Sequence, residues 1–136
     1  MLQEEDNIKK NCSFPKSERL CSKKAIEELI ELNSTLFVHP LKCYFQFYPI
    51  TEDEFCNQIV FSVPKRYFKK AVDRNQIKRR LKEAYRLNKF ELLHENTLLK
   101  QRKVKIIIVY IGKDMLSFLQ LENSLKSLLL KIASHL

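Results

Sequence analysis

Residues 62–89 read SVPKRYFKKAVDRNQIKRRLKEAYRLNK, and this stretch decides the fold because the chain changes from strand to helix across one proline. Ahead of Pro64, residues 57–63 (NQIVFSV) are rich in β-branched and aromatic side chains, and a proline cannot extend a central ladder. Beyond it, winding the chain at about 100° per residue places Ile77, Leu81, Ala84 and Asn88 on one side, with Tyr85 at its edge. Arg74, Lys78, Lys82 and Lys89 line an adjacent arc, widened by Asn75, Arg79 and Arg86. The pattern predicts a helix that starts between Phe68 and Asp73, ends near Lys89, and docks its apolar face on a core.

The same helix concentrates the charge. Of the 25 residues from 65 to 89, 11 are Lys or Arg, opposed only by Asp73 and Glu83. The whole chain has 25 basic and 16 acidic residues for a net +9, so the other 111 residues carry 14 of each sign. A solvated amphipathic helix is the plain alternative, but such helices mix Glu with Lys at i, i+4, whereas this arc sets like charges side by side. A bound polyanion removes that repulsion, and phosphates do so with release of counterions. Composition thus points to a nucleic-acid partner.

Working outward, residues 24–32 (KAIEELIEL) predict a short amphipathic helix through Ile26, Leu29 and Ile30, capped by Ser22. Residues 41–50 (LKCYFQFYPI) and 57–63 read as strands, and the acidic turn of Glu52, Asp53 and Glu54 between them predicts an antiparallel hairpin. Strand alternation puts Lys42, Tyr44, Gln46 and Tyr48 on one face and Cys43, Phe45 and Phe47 on the other. Residues 104–111 (VKIIIVYI) predict a buried central strand. Ser117 opens a capping box, after which Leu121, Leu125, Leu128, Leu129, Ile132 and Leu136 form an apolar stripe. The expected architecture is a single-domain α+β sandwich over residues 1–136, in the order α-β-β-α-β-α, with residues 1–12 flexible.

Several function classes are disfavoured. Gly112 is the sole glycine, which argues against Gly-rich phosphate loops and hence against a small-molecule nucleotide cofactor. Cys12, Cys21, Cys43 and Cys56 form no C-x-x-C pair, and His39, His94 and His135 stand at no zinc spacing, so reduced thiols are expected. Glu27, Glu28 and Glu31 fall on the outer face of the first helix, and no Ser/His/Asp or Cys/His set is evident. The start MLQEEDN lacks a signal peptide's pattern and the longest apolar run, 106–111, is too short to span a bilayer; a soluble cytoplasmic protein without a membrane partner is expected.

At residues 62–66 (SVPKR), 69–79 (KKAVDRNQIKR) and 83–86 (EAYR) the chain resembles the bacterial ribonuclease P protein subunit, whose signature is an Arg-Asn-Arg helix after a strand ending in paired basic residues. Residues 14–20 (FPKSERL) resemble that family's N-terminal segment, and the likeness in element order runs from about residue 12 to 135. Gln76 departs from the triplet's third position, Lys82 replaces a common Arg, and Ile26 and Ile30 stand where aromatics often face the substrate cleft. Gln and Lys both lack the bidentate guanidinium fork.

The resemblance implies a left-handed β-α-β crossover like that of ribosomal protein S5. It implies that a catalytic RNA with Mg²⁺ hydrolyses the bond joining precursor tRNA to its 5′ leader, while the protein, binding no metal or cofactor alone, supports that RNA and holds the leader. Arg74, Asn75, Lys78, Arg79, Lys82 and Arg86 would then meet the catalytic RNA. In the leader cleft Lys65, Arg66 and Lys70 match the family's basic positions, Lys69 is a further RNA-binding residue, and Phe14 and Tyr44 are expected in that cleft, although Tyr44 and Tyr48 equally suit the border of the core. Rival readings are a ribosomal or translation-associated RNA-binding protein and, further off, a DNA-binding regulator using 71–89 as a recognition helix, which would want a helix-turn-helix partner.

Overall fold

The computed structural model describes residues 14–52 and 56–136. The expectations for residues 1–12, Cys12, Asp53 and Glu54 lie outside the described residues. A four-stranded sheet has the order β1-β2-β4-β3, with β1 at Thr35–Val38, β2 at Leu41–Pro49, β3 at Gln58–Ser62 and β4 at Arg102–Tyr110. Four helices accompany it: α1 (Lys23–Leu32), α2 (Ala71–Lys89), the short α3 (Glu95–Leu99) and α4 (Phe118–Ser134).

The hairpin expected between residues 41–50 and 57–63 does not form. Instead β4 lies between those strands, antiparallel to β2 and parallel to β3, with Ile107 opposite Tyr44 on one side and Val60 on the other. Burial explains the choice. Ile106 and Ile108 are fully buried and Ile107 nearly so, so this run belongs in the interior of the sheet. The hairpin partner of β2 is β1, a strand the alternation did not reveal because TLFV is only half-covered at the edge.

Alternation along β2 holds. Leu41, Cys43 and Phe45 join the main core, beneath Ile77, Leu81, Ala84 and Tyr85 of α2 and Leu121, Leu125, Leu128, Leu129 and Ile132 of α4. Each side chain buried this fully stabilises the fold by about 1.5–3 kcal/mol. Among the described residues the opposite face is covered by α1 and Leu20, where Leu20, Leu29 and Ile107 form a small cluster flanked by Ile26, Tyr44, Val60 and Val109. Both predicted caps are present: Ser22 Oγ accepts from Ala25 N at 3.2 Å, and Ser117 and Gln120 form a reciprocal capping box.

Residues 14–20 run round the open edge of β3 and so reach both faces. Leu20 N donates to Ile59 O at 3.0 Å, and Arg19 pairs with Ile59 as a parallel bridge. Phe14 packs into the main core, whereas Leu20 belongs to the cluster beneath α1. At the far end, Asn57 is buried and satisfied, donating to Thr97 Oγ1 at 2.9 Å and accepting from Val104 N at 2.8 Å, which ties β3 to α3 and β4.

Candidate nucleic-acid interface

The basic stretch of residues 65–89, which ends in α2, sorts its cations into two groups. Four serve the fold. Arg74 Nη1 donates to the carbonyls of Phe68 and Lys69 at 2.8 and 2.9 Å, fastening the turn that leads into the helix. Arg80 Nη1 donates to Leu116 O at 2.6 Å and anchors the approach to α4. Arg86 Nε bonds Glu83 Oε2 at 3.0 Å, and this contact holds the Glu83 carboxyl below its usual pKa.

Lys89 is the fourth. The sequence places it on the charged arc, but it is 3 % exposed, with Nζ 2.8 and 2.9 Å from the two oxygens of Glu18. Helix α2 runs on into a π turn at Phe90–His94. In an unbroken α-helix residues five apart diverge by about 140°, whereas the wider turn brings Lys89 and His94 to the same side. His94 Nε2 accordingly lies 3.6 Å from Glu18 Oε1 and 3.3 Å from the Tyr85 hydroxyl. Burial, seconded by the Lys89 charge, lowers the His94 pKa to about 4, so the ring is neutral at pH 7. Desolvation raises the Tyr85 phenol, which is fully buried rather than at the edge of the apolar face.

The second group is Lys65, Arg66, Lys69, Lys70, Lys78, Arg79 and Lys82. None of these makes an ion pair among the described residues. Lys65, Arg66, Lys69, Lys70, Arg79 and Lys82 are exposed and Lys78 is half-buried. Lys70 is the N-cap of α2 and supplies no side-chain cap, so two lysines sit where the helix dipole favours negative charge. Such an arrangement is costly in isolation and favourable against phosphates. Asn75 stands exposed among these cations, as does Gln76.

Phe14 and Tyr44, expected to share one cleft, are not brought together. Phe14 faces the helix side, edge-on to Tyr85 with ring centroids 5.6 Å apart, and borders a hollow with Arg19, Lys78 and Lys82. Tyr44 lies on the α1 face, half-buried against the Leu29 cluster, with Lys42 Nζ 5.1 Å from its ring. The cause is the path of residues 14–20 around β3, which sequence alone does not show. Tyr48 shares the Tyr44 face, with Lys105 Nζ 5.0 Å above its ring, so aromatic and cationic groups alternate along this side of the sheet. Lys105 was not singled out in the sequence; its register opposite Gln46 is what places it there.

Among the described residues no group of three or more His, Cys, Asp or Glu could hold a metal ion, and no helix is long and apolar enough to cross a membrane. Cys21, Cys43 and Cys56 are free thiols, and burial pushes the Cys43 thiol up to about 11.

The class defined is an α+β protein with a four-stranded mixed sheet, whose longest described helix and the turn before it carry exposed cations without ion-pair partners among the described residues. Comparison with known proteins gives the family. The model of the Ribonuclease P family matches residues 14–133. Ribonuclease P protein components from two strains of Porphyromonas gingivalis are each 30 % identical over 122 residues, covering 88 % of this chain and 86 % of theirs. Two structures of the Staphylococcus aureus RNase P protein share the fold, with TM-scores of 0.60 and 0.59 at 21 % and 24 % identity; they cover 85 % and 89 % of this chain and 94 % and 92 % of theirs. The chain belongs to the ribonuclease P protein family, the protein part of a ribonucleoprotein endoribonuclease of tRNA processing.

Proposed function

We propose that this chain binds the catalytic RNA of ribonuclease P through α2 and the turn before it, and receives the 5′ leader of precursor tRNA on the sheet face beside α1. Seven cations between residues 65 and 82 that make no ion pair among the described residues carry this reading, since the fold has provided Arg74, Arg80, Arg86 and Lys89 with oxygen partners, while Arg66 of the seven lies over the Tyr67 ring. Phosphates are the counterpart that such a surface lacks. On the leader side, Tyr44 and Tyr48 with Lys42 and Lys105 offer stacking surfaces and charge to a single strand, each stack worth about 1–3 kcal/mol.

Hydrolysis of the leader bond is assigned to the RNA with Mg²⁺. The protein's part is to bind and orient, and no step is routed through a metal held by this chain. The reaction takes place in the cytoplasm. Reconstitution tests the whole reading: the purified chain, the catalytic RNA and precursor tRNA at low Mg²⁺ should remove the leader when neither macromolecule does so alone. Cleavage by the isolated polypeptide, or no stimulation of the RNA, overturns it.

A further inference from the structure

The hollow beside α2 has more structure than phosphate binding requires. A bare helix is convex and could meet an RNA backbone with its lysines alone. Here residues 14–19 stand against it as a second wall, enclosing an open cavity of about 520 Å³, within the general range of small-ligand pockets. The helix wall supplies Asn75, Lys78, Arg79 and Lys82. The facing wall is a stack: the Arg19 guanidinium lies 5.4 Å from the centroid of the Phe14 ring, and Arg19 Nη2 donates to Phe14 O at 3.1 Å.

That second wall is held in place beforehand. Phe14 rests edge-on against the buried Tyr85, and the turn at Lys16–Glu18 is fastened by the two contacts from Lys89 to Glu18. A guanidinium can fork onto a phosphate, but one held over a ring also presents a flat face that suits a base. Proteins that read RNA by sequence or shape take unstacked bases onto aromatic rings and Arg planes. Asn75 adds an amide that can both donate and accept at a base edge.

We propose that this hollow takes one unpaired nucleotide of the partner RNA, its base laid on the Arg19–Phe14 stack and its phosphates on Lys78, Arg79 and Lys82. The proposal rests on the reading of α2 as an RNA-binding helix and narrows it from backbone contact to recognition of a bulged or looped-out residue. It moves Phe14 from the leader surface to the surface for structured RNA.

The test uses the full chain and two hairpin RNAs, one fully paired and one with a single bulged 2-aminopurine. The bulged hairpin should bind about 10-fold more tightly, as one stacked base is worth, and its fluorescence should be quenched on binding. Arg19→Ala and Arg19→Lys should both reduce its affinity to that of the paired hairpin and abolish the quenching. Arg19→Lys retains the charge and therefore the salt dependence, which separates loss of the plane from loss of charge or fold. Equal affinity of the unmodified protein for both hairpins with a steep salt slope overturns the nucleotide site and leaves the helix reading standing. Persistent quenching in Arg19→Lys also overturns the site. An absence of salt-dependent binding to either hairpin overturns the helix reading itself.

Discussion

Lys82 and Lys89 stand two turns apart on the same arc of one helix and have opposite fates. Lys82 is exposed beside Asn75 and Lys78 at the rim of a hollow, while Lys89 is buried against a carboxylate that lies 71 residues earlier in the chain. Helical periodicity cannot separate them, because it reports which residues share a face and not what another segment lays across it. Cationic helices of this kind therefore have to be read in two portions, one stitched into the fold and one left for a partner.

The comparison breaks most easily at its buried end. Lys89→Ala leaves the buried Glu18 carboxylate beside the neutral His94 ring without its countercharge, and should destabilise the fold by about 3–5 kcal/mol in urea titration. A loss below about 1 kcal/mol would mean that Lys89 behaves like a surface cation. Leu81→Ala, fully buried on the same helix, should cost about 2–5 kcal/mol, and a negligible loss would displace α2 from the core.

A smaller effect follows from His94. Its folded pKa of about 4 lies below the ordinary value of 6.5, so the unfolded chain takes up the proton first. The stability this contributes is present above pH 6.5 and declines as pH falls toward 4, by about 3 kcal/mol. Urea midpoints measured across that window should fall with acidification in the natural chain and less steeply in His94→Gln. Equal slopes would place the imidazole in solvent.

Arg74 lies between the two portions, since its guanidinium both fastens the carbonyls of Phe68 and Lys69 and borders the open cations. Arg74→Ala should cost about 1 kcal/mol in stability as well as affinity, so it is a poor probe of RNA contact by itself. Lys78→Ala with Lys82→Ala is the sharper test. Stability should change by less than about 0.5 kcal/mol, while the slope of log affinity against log salt should fall by about 2. An unchanged slope would remove this face from the interface.

Much of this architecture was legible from local pattern. The α2 facing, the cap at Ser22, the box at Ser117 and the alternation along β2 all follow from contacts within one element or its immediate neighbours. What was missed depends on distant partners. The place of β4 between β2 and β3 follows from burial of the whole isoleucine run, which adjacent-hairpin reasoning overlooks. The Lys89–Glu18 pair depends on the path of residues 14–20 and the approach of His94 to it on a π turn, neither of which leaves a periodic trace. The separation of Phe14 from Tyr44 has the same origin. Their residue types suggested stacking surfaces, but only the route of the backbone says on which side each one stands.

That route has a further effect. By running along β3 at Arg19 and Leu20, the leading segment occupies main-chain groups that an edge strand would otherwise offer to a passing chain. Among the described residues the opposite border of the sheet is the four-residue β1, which is short for an edge. Cover at Ile59 by residues 19 and 20 thus makes the β3 border a poorer template for a passing strand than a bare edge would be.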